Sequence, residues 1–396
     1  MKYLVFILTA SLAISGLFSC QKLVDERKPL FQSDKKPLPV TGVQVKNMEG
    51  AAVITYKLPE DPSVLYVQAD YMINDKIARQ EKVSYYSDSI RVSGFAKAGE
   101  YKVILYSVSR SEVKSDSVVV KVNPLNPPYR TIAASLQLYD AFGGVNVKCQ
   151  NPTEGEVGVG VVVDTTGRPE LVYTEYTKAT AVEFTVRGFS LKPYRMGAYV
   201  IDRWGNVSDT TWKTITPLYE AELQRAGKIV LANLPQDGAM GNVTVFTDII
   251  NFTGSSTRYY SINKTAPAPN PYLGLYLGVT AKLSRFKFYP RSDMQFTNGT
   301  PRVFEVWVSM TPGATGDLYD GTWTKLGRYE VIKPSGLPIG TNSTEDVNAA
   351  NAGFEFVFPL PAVACKYVRI VGIDTWKAAP DGNLKIGPIH FWGDNR

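Results

Sequence analysis

Short runs of alternating apolar and polar residues fill most of this sequence, and turn-forming residues interrupt them about every 8 to 12 residues. The stretch KYVRIVGIDTW, residues 366–376, is an example, because Val368 and Ile370 are separated by the polar Arg369. Residues 217–227 are the one place where the pattern also suits a short helix. Glycine (32), proline (25) and tyrosine (23) are abundant, which favours strands joined by turns. These features predict an all-β fold of packed sandwiches.

The first part of the chain contains the same order of features twice. In each copy a strand leads to a Gly-Phe pair, a short corner, a tyrosine and another alternating strand. The tyrosines are Tyr101 and Tyr194, which are about 93 residues apart, the size of one sandwich domain. We therefore predict two tandem sandwiches, at residues 38–124 and 125–216.

Each repeat resembles a fibronectin type III domain. The segment GFAKAGEYKVILYSV, residues 94–108, resembles the corner that leads into the family's sixth strand. The resemblance implies that the Tyr101 hydroxyl ties this corner to the backbone upstream. The proline-rich stretch NPLNPPY, residues 123–129, is interpreted as a hinge between the two sandwiches.

Residues 217–396 carry several short motifs in a fixed order, namely FYPR, FEVWVS, WTKLG, YVRI and IGPIHFWG. In this order they resemble an F5/8 type C (discoidin-like) domain, which has a galactose-binding-like fold. The resemblance implies a jelly-roll β-barrel with eight strands, of a kind that often binds carbohydrate. The fold predicted for the whole chain is all-β: two tandem fibronectin III/Ig-like sandwiches followed by a discoidin-like jelly-roll β-barrel.

The N-terminus has the pattern of a secretory signal. A short basic start precedes an apolar run at residues 4–18, which is shorter than the about 20 residues that a membrane-spanning helix needs. The ending LFSC resembles the lipobox of bacterial lipoproteins, which implies removal of residues 1–19 and lipidation of Cys20. Residues 20–37 are polar and contain prolines, so we expect a flexible tether.

The complete arrangement resembles Bacteroidota surface lipoproteins encoded beside starch-utilisation-type glycan uptake systems. The resemblance implies a lipid-anchored outer-membrane protein, exposed at the cell surface, that binds an oligo- or polysaccharide without catalysis. The partners implied are the glycan, the membrane through the N-terminal lipid, and outer-membrane glycan uptake proteins. The alternative is a protein-interaction or structural subunit of such a complex that does not bind sugar directly.

Charge and residue types argue against several other functions. The net charge of the chain is only +6, and the basic residues are interspersed with acidic ones. Nucleic acid is therefore not an expected partner. The single histidine, His390, lies in a strand-like run, and no catalytic or phosphate-binding motif occurs. We therefore predict no catalytic residue and no enzyme activity, while a glycosidase-type carboxylate pair among the 37 acidic residues stays open.

Cysteine and proline positions argue against a bound metal or cofactor. No Cys/His cluster of the zinc-binding kind occurs, and Cys149 and Cys365 are predicted to be buried free thiols. Many discoidin-like domains hold calcium with a glutamate in the last strand, where this chain has Pro388. Because proline has no carboxylate, we expect no calcium site there.

The loops at one end of the barrel are the expected ligand site, because loops on a rigid scaffold often carry function. A sugar site needs an aromatic platform and charged or amide hydrogen-bonding groups. The predicted ligand-binding residues are Trp376, Tyr259, Tyr260, Arg258, Arg291, Asp293, Tyr319 and Asp374. Trp376 is the leading candidate because it directly follows a strand and would lie over the barrel's rim. Arg369, Trp307 and Trp323 are expected to be structural.

Overall fold

The computed structural model describes residues 34–223, 229–241, 260–291, 293–377 and 382–396. The signal peptide, the lipidation residue Cys20 and most of the tether lie outside these residues. The described part forms three β-rich units in chain order, which we call the first sandwich, the second sandwich and the barrel. None of its helices has the length and apolar character needed to cross a membrane.

The first sandwich consists of two antiparallel sheets around one core. Its strands are β1 (Thr41–Met48), β2 (Ala51–Lys57), β3 (Val64–Met72), β4 (Ala78–Ser84), β5 (Ser89–Ser93), β6 (Tyr101–Ser109) and β7 (Val118–Val122). The sheet orders are β1-β2-β5 and β4-β3-β6-β7. The Tyr101 hydroxyl donates to Lys97 O (3.2 Å) and accepts from Lys97 N (3.3 Å), which confirms its predicted role at the corner.

The second sandwich repeats this arrangement and is preceded by helix α1 (Pro128–Ala134). Its strands are β8 (Gln137–Ala141), β9 (Gly144–Gln150), β10 (Val157–Asp164), β11 (Pro169–Thr177), β12 (Ala181–Arg187), β13 (Tyr194–Asp202) and β14 (Thr211–Ile215). They form sheets β12-β9-β8 and β11-β10-β13-β14. Cys149 is buried here as a free thiol, and Cys365 is buried in the barrel, as predicted.

The barrel is built on one large sheet and one small sheet. Its strands are β15 (Ala221–Glu222), β16 (Val230–Leu231), β17 (Ala239–Gly241), β18 (Tyr260–Asn263), β19 (Tyr272–Phe288), β20 (Pro301–Ser309), β21 (Thr324–Glu330), β22 (Phe354–Val357), β23 (Ala364–Thr375), β24 (Asn383–Ile386) and β25 (Ile389–Asp394), with helix α2 (Thr344–Ala352). The large sheet runs β15-β25-β19-β23-β20-β21, with β16 and β22 also pairing with β19, and the small sheet runs β17-β18-β24.

Phenylalanines fill the barrel core. Phe286 is fully buried and has four phenylalanine rings around it, with centroids 5.4 to 5.8 Å away: Phe304, Phe356, Phe358 and Phe391.

The predicted all-β class is confirmed, with sandwich-like sheets in all three units. The possible helix near residues 217–227 is wrong as far as that segment is described, because Ala221–Glu222 pairs with β25 as a strand.

The junction between the two sandwiches is closely packed. The Tyr129 hydroxyl, on α1, donates to Ala96 O of the first sandwich (2.7 Å). Trp204 of the second sandwich lies against Gly94, where an added Cβ would be 2.9 Å from the indole Cγ. Contacts from α1 and Trp204 thus pack the two sandwiches against each other beside the proline-rich stretch.

The second sandwich also contacts the barrel directly. Leu218 N donates to Ala141 O (2.9 Å). The chain therefore runs beside the second sandwich before it enters the barrel. Glu220 then lies between two arginines, with Oε1 3.2 Å from Arg285 Nε of the barrel and 3.5 Å from Arg187 Nε of the sandwich. A mostly buried carboxylate thus links the two units electrostatically.

Candidate functional site

Strands β20 and β23 place alternate side chains on two faces of the large sheet. Phe304 and Val308 of β20 are buried in the main core of the barrel. Glu305 and Trp307 lie on the other face, and Arg369 of β23 is directly opposite Trp307 in the strand register. A second apolar cluster covers this outer face, and it contains Trp307, Tyr272, Trp323, Leu318, Val371 and Ala268.

Arg369 is the fully buried centre of this outer cluster. Its guanidinium forms an ion pair with Asp237 (2.8 Å) and donates to the carbonyl oxygens of Gly316 and Pro235 (2.5 and 3.1 Å). Burial raises the pKa of Asp237, and the charge of Arg369 acts in the opposite direction. The guanidinium also lies 4.6 Å from the ring centroid of Trp323. Arg369 is therefore a structural residue, as predicted, and it holds two loops onto the sheet.

One of these loops, residues 310–323, is fixed by its own hydrogen bonds. Gly313 N donates to Thr322 Oγ1 (3.0 Å), and Ser309 Oγ donates to Thr322 O (2.6 Å). Leu318 is buried against the outer cluster, which anchors the middle of the loop. The residue after this anchor, Tyr319, is consequently presented from a rigid support.

The Tyr319 ring is exposed and stands on Trp307. Tyr319 is 76% exposed, and its ring meets the indole edge-on, with centroids 5.5 Å apart and planes at 79°. Trp307 Nε1 donates to Glu305 Oε2 (3.0 Å), and Lys325 Nζ forms an ion pair with Glu305 Oε1 (2.5 Å). We call Tyr319, Trp307, Glu305 and Lys325 together the Tyr319 surface.

The Tyr319 surface combines the two properties that a sugar site requires. An exposed aromatic ring can stack on the apolar CH face of a pyranose. Beside it, the carboxylate of Glu305 can accept hydrogen bonds from hydroxyl groups, and the ammonium of Lys325 can donate them. Because the Glu305 side chain is only 11% exposed and has two fixed partners, its position is set before any ligand arrives.

Trp376 is not part of this surface. It is 9% exposed and belongs to the main barrel core, where its ring meets Phe296 edge-on at 5.4 Å. Its backbone N donates to Thr300 O (2.9 Å), and the Arg302 guanidinium lies 5.0 Å from its ring centroid. The expectation of an exposed ring over the rim is therefore wrong, because the indole packs against Phe296 in the barrel core.

Three other predicted ligand residues lie near the barrel end where β20 begins. Arg291 forms a two-point ion pair with Asp293 (2.5 and 2.7 Å). Asp374 is 3.7 Å from Arg302 and accepts from Thr375 N (2.8 Å). In the register, Asp374 is opposite Val303, four residues before Trp307, so at about 3.3 Å per residue it lies roughly 13 Å along the strand from the Tyr319 surface.

The remaining predictions fall on segments that are not fully described. Tyr259 and Arg258 lie outside the described residues. The backbone of Tyr260 is in β18 and pairs with Ile386, while its side chain is not described. The structure therefore assigns no position in a site to these three residues.

Sequence reasoning missed Glu305 and Lys325 as members of the surface. Trp307 was expected to be structural, and its 8% exposure agrees with that expectation. The signal for Glu305 was its spacing of two from Trp307 within a strand, which places both side chains on one face. Lys325 follows Trp323 by two residues at the start of β21, and its pairing with β20 is not evident from sequence alone.

The single histidine pairs with a carboxylate, and the two described cysteines are buried. His390 Nδ1 lies 2.9 Å from Glu222 Oε1, and the imidazole stacks against Trp392 at 5.9 Å. Burial raises the pKa of Cys149 to about 11 and that of Cys365 to about 12, so both thiols are neutral at physiological pH. In the described part of the chain, no three His, Cys, Asp or Glu side chains gather where a metal ion would fit.

Three sequence families match successive parts of the chain, and all three are described as domains of unknown function. They are DUF4959 at residues 37–124, DUF5126 at residues 125–226 and DUF5000 at residues 250–393. Each of the three covers less than half of the chain. No curated protein matches the chain.

Several solved structures resemble parts of the chain. A SusE-like protein of the Bacteroidota is 29% identical over 68% of this chain and 100% of its own length, with a TM-score of 0.43. The third family 32 carbohydrate-binding module of a Clostridium perfringens family 31 glycoside hydrolase is 12% identical, over 44% and 95% of the two chains, with a TM-score of 0.30. A segment of two fibronectin type III domains from chicken tenascin is 14% identical, over 45% and 99%, with a TM-score of 0.22.

Proposed function

We propose that this chain is a non-catalytic cell-surface protein that binds carbohydrate through its C-terminal barrel and supports glycan capture by an outer-membrane uptake system. The observation that carries the proposal is the Tyr319 ring, exposed on a rigid loop beside the Glu305–Lys325 ion pair. A single ring with a few polar groups gives weak binding to one sugar unit. Anchoring at the surface compensates, because it raises the effective concentration of the polysaccharide near the uptake machinery.

Replacing Tyr319 by alanine is expected to weaken binding of a recognised glycan by at least about tenfold, or ~1.4 kcal/mol, because the stacking platform is lost. Tyr319→Phe should keep most of the affinity, since it keeps the ring. A glycan array on the full chain would find the ligand, and calorimetry would compare the variants. Both should keep the wild-type melting temperature, because the side chain is largely exposed.

Tyr86→Ala is the matched control for this experiment. Tyr86 is 83% exposed and lies in the first sandwich, far from the barrel, so its loss should leave glycan affinity unchanged. Wild-type affinity in Tyr319→Ala would show that sugar, if bound, is held elsewhere. Detectable hydrolysis of the bound glycan would contradict the non-catalytic part of the proposal.

The second candidate function is a protein-interaction subunit of the uptake complex, and strand β11 favours it. Among the described strands it pairs with β10 alone, so its other edge has no described strand partner. It carries exposed Leu171 (57%) and Tyr176 (79%), and open apolar edges are suited to pairing with another chain. No binding to diverse glycans, together with co-purification of a membrane protein that is lost in Leu171→Lys and kept in Tyr319→Ala, would favour this function.

The proposed location rests on Cys20 as the lipidated residue. Cys20→Ser should move the protein from the membrane to the soluble fraction, because an N-terminal acyl anchor can no longer form. Cell fractionation and protease accessibility of intact cells would measure anchoring and surface exposure separately. Unchanged membrane association of Cys20→Ser would refute the lipid anchor. Sugar binding at the Tyr319 surface is measured separately, by the Tyr319 variants.

A further inference from the structure

A cleft of about 620 Å³ lies where the second sandwich meets the barrel. This volume is within the range of about 300 to 1,000 Å³ that is typical of small-molecule sites, which often form between domains. The outer face of the sheet β12-β9-β8 forms its floor, and barrel residues 357–361 form its opposite wall. We call it the inter-unit cleft.

The floor of the inter-unit cleft carries polar side chains in two rows across three strands. Tyr139, Asn146 and Thr185 are directly opposite one another in the register and form one row. Lys148 and Glu183 belong to the next row and form an ion pair (3.0 Å).

Asn146 is the most informative of these residues because it is only 7% exposed. Its Nδ2 donates to Thr185 Oγ1 (3.1 Å) and to Phe184 O (3.3 Å). None of the described residues donates a hydrogen bond to its Oδ1. An amide oxygen without a described protein donor in the lining of a cleft is suited to receive a hydrogen bond from a ligand hydroxyl.

The basic side chains that line the cleft differ in their partners, since Lys148 pairs with Glu183 and Arg187 pairs with Glu220. The basic side chains are Lys148, Arg187 and Lys213, and the acidic ones are Asp140 and Glu183. Lys213 Nζ donates to Leu138 O (2.8 Å), and no carboxylate of the described residues lies within 4.0 Å of it. Because an ammonium group has three N–H donors, two remain for an anionic ligand.

The opposite wall of the cleft is apolar. It consists of Val357, Phe358, Pro359, Leu360 and Pro361, and Phe358 N is fixed by a hydrogen bond to Ser284 O (2.8 Å). A flat molecule with hydroxyl groups on its edge and an apolar face would meet complementary groups on both sides. A pyranose has this shape, and a carboxylate on it could pair with the ammonium of Lys213.

We infer that the inter-unit cleft binds an acidic sugar unit, with its carboxylate at Lys213, its hydroxyls at Asn146 and Thr185, and its CH face against Pro359 and Pro361. This site is separate from the Tyr319 surface and does not depend on it. It would make the second sandwich a binding unit in its own right and not only a spacer.

The test uses the full chain with D-glucuronate and D-glucose as probes, measured by saturation-transfer NMR and titration. Glucuronate is expected to bind and glucose to bind at least about tenfold more weakly, because only glucuronate carries the carboxylate. Lys213→Met and Thr185→Val should each weaken glucuronate binding by a similar factor. Two variants are used because Lys213 also bonds to Leu138 O, so a change in folding must be separated from a change in binding.

Lys178→Met is the matched control, since Lys178 is 66% exposed in the same sandwich and does not line the cleft. It should bind glucuronate as the wild type does, and so should Tyr319→Ala. Equal affinity for glucose and glucuronate would overturn the assignment of an acidic ligand. The site itself would be overturned if neither probe gave a saturation-transfer signal. It would also be overturned if Tyr319→Ala lost glucuronate binding while Lys213→Met and Thr185→Val kept it.

Discussion

Arg369→Met is expected to destabilise the barrel by about 3–5 kcal/mol, because it leaves Asp237 buried without its counter-charge. It also leaves the carbonyl oxygens of Pro235 and Gly316 without a donor. Since these carbonyls belong to the loops that lie over the outer face, the Tyr319 surface should lose its support as well. The free energy of unfolding from a denaturant titration would measure the first effect, and glycan affinity would measure the second.

The destabilisation by Arg369→Met should depend on pH. Burial already raises the pKa of Asp237 in the folded protein, and removing the arginine removes the charge that opposes this shift. A raised folded pKa means that the variant is relatively more stable where Asp237 is protonated and loses stability as the pH rises through that pKa. The difference in the free energy of unfolding between Arg369→Met and the wild type should therefore be smaller in acid. At neutral pH, adding Asp237→Leu to Arg369→Met should recover stability.

Lys121→Met is the control for Arg369→Met. Lys121 forms an ion pair of similar length with Glu100 (2.9 Å), but the two side chains are 71% and 58% exposed. Solvent-exposed pairs contribute about 0–1 kcal/mol, so this variant should be close to wild type. If Arg369→Met were equally mild, the buried pair would not be what holds the two loops to the sheet.

Much of the fold was predictable because strand alternation records which face of a sheet is buried. Val368 and Ile370 are in the barrel core as their spacing predicts, and Arg369 faces the other way. The burial of Arg369 was harder to foresee, because its partner Asp237 is 132 residues earlier in the chain. Only the three-dimensional arrangement of loops and sheet brings these two charges together.

Predictions for single loop residues were less successful, because exposure in a loop depends on the path of the chain. Tyr319 is exposed as expected, since a buried neighbour, Leu318, anchors its loop. Trp376 is buried because its indole packs against Phe296 in the main barrel core. Local sequence does not distinguish these two outcomes, since both aromatics lie in segments that connect strands.

The inter-unit cleft could not be predicted at all, because its walls come from two units whose relative orientation has no signature in the sequence. Tyr139, Asn146 and Thr185 have the ordinary spacing of residues on a solvent-exposed sheet face. They become the floor of a cleft only because the contacts around Glu220 and Leu218 bring the barrel against this sheet. The same contacts make the junction itself testable.

Glu220→Ala is expected to destabilise the chain by about 3–5 kcal/mol, because it leaves Arg187 and Arg285 close together in a mostly buried place without their shared carboxylate. Burial and the charge of Arg285 already lower the pKa of Arg187, while Glu220 acts to raise it. The second sandwich and the barrel should then unfold in separate transitions by calorimetry. Glu355→Ala removes a 37% exposed partner of Arg285 and should cost only about 0–1 kcal/mol. A single unchanged transition in Glu220→Ala would mean that apolar and backbone contacts alone hold the two units together, since the charges at their junction would then contribute nothing measurable.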